Sequence, residues 1–146
     1  MASIALYTES DDQIFTYHEH IRPEKLTNFT SAIVHAARTA AIVMKARAMI
    51  VITQTGLTAQ LASCQRPPCP IFAFTNQQRT YQYLPLVWGV YPVVFDSVSA
   101  TEEITKRAEE ILLERKIVQR GDVVVIVSGT HPVRGATNMM KIERIA

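Results

Sequence analysis

Val123 to Val127 is an unbroken run of β-branched residues, the strongest strand signal in the chain. A strand apolar on both faces must be covered from two sides, as at the centre of a sheet with helices above and below. Residues 48–53, Ala-Met-Ile-Val-Ile-Thr, form a second such run. Ile71 to Thr75 and Tyr91 to Phe95 give two further strands, and Met139 to Ile145 the last.

Segments of helical period separate these runs. Over residues 27–45, Phe29, Ile33, Ala36, Ala37, Ala40 and Met44 recur at helical spacing and predict one apolar face. Gly56 and Thr58 open a short helix that stops before Arg66-Pro67-Pro68, where the prolines cannot continue it. A third helix is expected through Tyr83 and Trp88, disturbed near Pro85 and closed around Gly89. Ser99-Ala100-Thr101-Glu102 has the spacing of a capping box, and Ile104, Ala108, Ile111, Leu112 and Arg115 then keep a 3.6 period. The expected fold is therefore α/β: a three-layer αβα sandwich on a five-stranded, mostly parallel sheet. No helical pattern lies between the last two strands, and their connection is short for a parallel crossover, so the final strand is expected to be antiparallel. Residues 1–26, a short helix from Met1 to Glu9 and a polar linker, read as the end of another unit; residues 27–146 read as one α/β domain.

Composition narrows the function. The 146 residues suit one domain, and a net charge of +2 argues for neither nucleic acid nor an anionic membrane as partner. No apolar run is long enough to span a bilayer, and Met1 to Glu9 lacks the marks of a signal peptide. Cys64 and Cys69 do not have zinc or redox spacing, so free thiols in a reducing cytoplasm are expected. His18-Glu19-His20 has no third metal ligand, and Asn28-Phe29-Thr30 matches a glycosylation acceptor only by pattern. No set of residues reads as catalytic. His35 reads as a helix-face residue, and nothing in sequence pairs His131 with Ser128 or an acid.

Two loops leave the carboxyl ends of predicted strands, where open sheets bind ligands. Thr53-Gln54-Thr55-Gly56-Leu57-Thr58 surrounds a glycine with three hydroxyls at a helix start, a cradle for an anion on unpaired first-turn amides. An alternative has the threonines only capping that helix, and spacing alone leaves both open. The second loop holds Gly129, Thr130, Arg134 and Gly135, with Arg134 either offering a guanidinium to a phosphate or standing as an ordinary exposed loop arginine, the commoner role of a lone arginine. The two flank one crevice if strand order reverses between the 48–53 and 122–127 strands.

Several stretches in register resemble the pyruvate kinases: Leu86-Val87-Trp88-Gly89-Val90-Tyr91-Pro92, Gly121 to Gly129, and Gly135-Ala136-Thr137-Asn138-Met139-Met140-Lys141-Ile142. The resemblance runs from about Thr30 to Ala146 and is to the family's carboxy-terminal α/β domain. It implies a regulatory and oligomerisation module that binds a phosphorylated effector, makes subunit contacts in a homotetramer and works beside its own catalytic barrel. It further implies that phosphate transfer from phosphoenolpyruvate to ADP, with magnesium and potassium, belongs to that barrel, with no cofactor in this chain. It carries Thr53, Thr55, Gly56 and Thr58 over as effector-phosphate contacts, with Gln54 in the same loop.

The sequence departs from regulated members at Leu57, where lysine or arginine is frequent, at Gln54, where some have lysine, and at Ile104, where animal forms carry an effector-binding arginine. Each lost cation removes a charge-assisted bond of about 1.5–3 kcal/mol, which shifts the expectation from a sugar bisphosphate toward a monophosphate or no effector. Lys106 and Arg107 are the nearest substitutes. The rival readings are a free-standing sugar-phosphate or nucleotide-binding protein of the same fold, and a small phosphatase using His131.

Overall fold

A computed structural model describes residues 28–95, 101–129 and 137–146. Helix α1 (Phe29–Val43) starts at Asn28, whose side-chain oxygen accepts the Ser31 amide at 2.8 Å. The asparagine of the glycosylation pattern is thus the N-cap. Strand β1 (Ala48–Ile52) leads to α2 (Leu57–Cys64), and β2 (Ile71–Thr75) to α3 (Gln78–Tyr83) and a 3-10 turn (Leu84–Leu86). Then come β3 (Val90–Val94), α4 (Thr101–Glu114), β4 (Val123–Gly129) and β5 (Thr137–Arg144).

The strands lie in the order β3-β2-β1-β4-β5. All neighbours are parallel except β4 and β5, which pair antiparallel with a register irregularity at Ser128/Gly129. The α/β sheet with its antiparallel last strand is as the sequence led one to expect. Strand order reverses between the parallel neighbours β1 and β4, which places a topological switch point at their carboxyl ends.

Helices cover both faces. On one, Val34, Ala37 and Ala41 of α1 and Ala59 and Ala62 of α2 pack on Met49, Val51, Val125 and Val127. On the other, Ala108 and Leu112 of α4 pack on Ile50, Phe72, Phe74 and Ile126. Each large apolar side chain so buried contributes about 1.5–3 kcal/mol. Helices α1 and α4 are each followed by a basic residue with left-handed backbone, Lys45 (φ 50) and Lys116 (φ 56), and α2 by Arg66 (φ 49). Glycine would hold that conformation without strain; a cation there complements the negative end of the helix dipole.

Two expectations need correction. The buried stripe of α1 is Thr30, Val34, Ala37, Arg38 and Ala41, one residue round from the predicted face. Phe29 is 81% exposed and Met44 is exposed, because both sit at helix ends that overhang the sheet. The third helix stops at Tyr83 rather than continuing through Trp88: Pro85 has no N–H for an α-helical bond and is accommodated in the 3-10 turn instead. The 1–9 helix, the linker, His18, His20, the Ser99 cap, Thr130, His131, Arg134 and Gly135 lie outside the described residues.

Candidate functional site

The loop from Thr53 to Thr58 sits at the carboxyl end of β1, beside the reversal of strand order. Thr53 still belongs to the sheet through its amide, which donates to the Phe74 carbonyl at 3.0 Å. Its buried hydroxyl accepts the Gly56 amide at 2.9 Å and closes the turn. Gly56 is the N-cap of α2 at φ 81, the left-handed region that glycine enters freely. Space enforces the same choice, since a Cβ there would stand 1.9 Å from the Tyr83 hydroxyl.

The three hydroxyls of the loop take different parts. Thr53 is the internal cap just described. Thr58 is buried, and its hydroxyl shares a 2.8 Å hydrogen bond with that of Thr137, the first residue of β5. Only Thr55 is exposed, with its Oγ1 a long 3.4 Å from the Leu57 amide. Gln60 is the first residue of α2 to donate to a helical carbonyl, that of Gly56. The amides of Leu57, Thr58 and Ala59 therefore have no intrahelical acceptor, and they form the positive end of the helix. Thr53 thus caps the turn and Thr58 ties α2 to β5, while Thr55 is the exposed hydroxyl of the loop. Gln54 is half-buried and Leu57 is exposed, so no side-chain cation of the loop faces an anion.

On the β4 side, Gly129 is described and half-buried. Ser128, just before it, is 1% exposed, and its hydroxyl has no partner among the described residues. Lys106 and Arg107, the candidate replacement cations, line a groove of about 670 Å³ between the end of β3 and α4, with Val94, Phe95 and Ile111 as apolar walls. None of the 53–58 residues lines it. Arg107 is held 2.9 Å from Glu110 in an exposed ion pair.

Sequence reasoning missed three partners of the loop: Thr80, Tyr83 and Thr137. They lie 26, 28 and 79 residues from the groups they bond, beyond any local pattern. Elsewhere, Cys69 is buried in apolar surroundings that push its thiol up to about 12, so it is inert, and Cys64 is a free exposed thiol. His35 lies on α1, its Nδ1 3.4 Å from the side-chain oxygen of Gln65. Among the described residues, no three His, Cys, Asp or Glu side chains converge as metal ligands, and no helix is long and apolar enough to cross a membrane.

These features define a class: an open α/β domain with a hydroxyl-rich loop and a helix amino terminus at its topological switch point. The family model for the pyruvate kinase alpha/beta domain matches residues 31–143, and the chain belongs to that family. It is 39% identical over 147 residues to a pyruvate kinase of Sporosarcina psychrophila, covering 99% of this chain and 25% of that protein. Against a pyruvate kinase of Clostridium acetobutylicum the identity is 33%, covering 98% of this chain and 30% of that protein. Pyruvate kinase 1 of Candida glabrata gives 32%, covering 98% of this chain and 30% of that protein. The chain therefore spans between a quarter and a third of the length of these relatives.

Proposed function

We propose that this chain is a regulatory and assembly module of a pyruvate kinase, binding a phosphorylated small molecule at the 53–58 loop and contributing subunit contacts. The observation that carries the reading is the position of that loop: a helix amino terminus whose first-turn amides have no intrahelical acceptor, at the switch point of a domain of this family. Thr55 and the amides of Leu57 to Ala59 would meet the phosphoryl oxygens, with Gly56 making the close turn and Thr53 and Thr58 holding the loop beneath them. Gln54 and Gly129 complete the described part of the proposed set, and Thr130, Arg134 and Gly135 belong to it by sequence alone. With Leu57 where a cation would stand, neutral donors carry the binding. That favours one phosphoryl group, as in a sugar monophosphate or nucleoside monophosphate, over a bisphosphate.

The proposed assembly role rests on the edges of the sheet. The β3 edge carries Pro92, which has no N–H to offer a further strand. The β5 edge runs from Thr137 to Arg144 with no strand beyond it among the described residues, and Lys141 and Ile142 are exposed along it. In a parent enzyme, phosphate transfer from phosphoenolpyruvate to ADP would fall to the catalytic barrel, the module's partner within a cytoplasmic homotetramer. Magnesium and potassium would act in that barrel.

Calorimetric titration with ribose 5-phosphate, glucose 6-phosphate, AMP and fructose 1,6-bisphosphate tests the effector role. Monophosphate binding that Thr55→Ala weakens is the expected result; heat signals indifferent to that substitution would remove the site from this loop. Sedimentation of the same chain tests the assembly role, and a monomer at millimolar concentration would count against it. The rival of a free-standing binding protein is favoured by no observation over this one.

A further inference from the structure

The underside of the 53–58 loop is held by one short helix. Thr80 Oγ1 donates to the Gln54 carbonyl at 2.6 Å, and Tyr83 Oη donates to the Thr55 carbonyl at 2.5 Å. The Tyr83 hydroxyl also accepts from Gln60 Nε2 at 3.3 Å, which ties the loop to the second turn of α2. Two successive carbonyls are thus drawn toward α3.

The peptide plane turns this into control over the amides. No cis peptide occurs among the described residues. In a trans peptide the carbonyl of one residue and the N–H of the next point in opposite directions. Fixing the Gln54 carbonyl on Thr80 therefore aims the Thr55 N–H away from α3. Fixing the Thr55 carbonyl on Tyr83 turns the Gly56 N–H away as well, where Thr53 Oγ1 accepts it at 2.9 Å inside the loop, so that neither this carbonyl nor that amide faces the ligand. Were either carbonyl to turn outward, its lone pairs would join the donor surface and repel an anion.

We propose that Thr80 and Tyr83 are positioning residues that hold the carbonyls of Gln54 and Thr55 away from the ligand face and so keep the loop a surface of donors for a phosphoryl oxygen. The proposal rests on the reading of this loop as a phosphate cradle. It adds the element that sets its polarity, which lies on the crossover between β2 and β3 rather than in the loop itself. It also explains the glycine: Tyr83 can reach the Thr55 carbonyl only because residue 56 has no side chain to block its hydroxyl.

The test is a titration of the full 146-residue chain with inorganic phosphate, followed by amide NMR shifts, in the unmodified protein and in Tyr83→Phe, Thr80→Val and Ser63→Ala. Ser63→Ala is the control. It removes a hydroxyl bond of the same kind, to the Trp88 carbonyl at 2.6 Å, at the far end of α2. We expect Tyr83→Phe and Thr80→Val each to weaken phosphate binding about five- to tenfold and to speed hydrogen exchange at Gly56 and Leu57 by a similar factor. Ser63→Ala should leave both unchanged. Should Tyr83→Phe fail to fold, Thr80→Val carries the same prediction. Phosphate binding and exchange unaltered in the two variants would overturn the positioning role and leave the cradle standing. No phosphate-dependent shift between Thr55 and Ala59 in the unmodified chain would overturn both.

Discussion

The two faces of the sheet are built on different principles, and the candidate site belongs to only one of them. The face under α1 and α2 is lined by small residues, Ala37, Ala41, Ala46, Ala59, Ala62 and Ala73 among them. Small side chains let helix and strand backbones approach closely, which brings hydroxyls such as those of Thr58 and Thr137 within bonding distance. The face under α4 is filled by Phe72, Phe74, Ile50, Ile126 and Leu112. Bulky packing of that kind supplies transfer free energy in quantity but fixes no polar geometry. The comparison teaches that both faces contribute burial, Met49, Ile71 and Leu84 being buried on the first, while the polar contacts of the loop gather where the helices pack closest.

The largest effect should come from the bulky face. Phe74→Ala removes a fully buried ring and is expected to cost about 3–5 kcal/mol in a denaturant titration. At a site formed wholly on the other face, phosphate affinity at temperatures where the variant stays folded should hold. Equal loss of both would break the division.

Gly56→Ala attacks the other face and should be next in size. The new methyl would meet the Tyr83 hydroxyl, and alanine at φ 81 is strained by about 1–2 kcal/mol besides. A total of about 2–3 kcal/mol is expected, together with loss of phosphate response in the loop. Stability unchanged by this substitution would mean that the turn is less constrained than its geometry implies. Thr58→Val and Thr137→Val come third. Each leaves one buried hydroxyl alone and should cost about 1–2 kcal/mol, while the double variant costs less than the sum. A double-mutant cycle reads that coupling directly, and an additive result would sever the supposed tie between α2 and β5.

The same contrast governs what was legible in the sequence. The strands and their order of appearance were plain, because β-branched and aromatic runs announce themselves at short range. The face of α1 was not, since Ala32, Ala36, Ala37, Ala40 and Ala41 occupy several sides of the helix and leave its apolar stripe poorly defined. A buried arginine at position 38 contradicts the simple pattern altogether. In the site, the threonines and glycine of 53–58 stood out by residue type. Their division into builders and donors did not, because it is decided by Tyr83, Thr80 and Thr137, which only the folded chain brings near. The helix carrying Tyr83 was anticipated, but as one long element; its end at that residue is what sets the hydroxyl under Gly56.

The smallest predicted effect concerns a polar contact of α4, on the bulky face. Glu109 of α4 meets Glu143 of β5, and its carboxyl is raised from 4.5 to about 7, first by burial, then by the charge of Glu143 and a hydrogen bond to it, with Lys141 opposing. Lys141 Nζ lies 2.5 Å from Glu143 Oε2, an ion pair without the alignment of a hydrogen bond. A carboxyl that holds its proton more tightly when folded favours folding at low pH. Its contribution is full below about 4.5, declines as pH rises through about 7 and is gone above. Since the pair is partly open to solvent, the change should stay under about 1 kcal/mol. Denaturant titrations at pH 5 and pH 8 should therefore show the unmodified chain less stable at the higher pH by that amount, and Glu109→Gln, which mimics the protonated acid, should flatten the difference. A slope that survives in Glu109→Gln would assign the titration to other groups and leave the α4 face purely apolar in its energetics, which would sharpen the contrast with the hydroxyl-bonded face across the sheet.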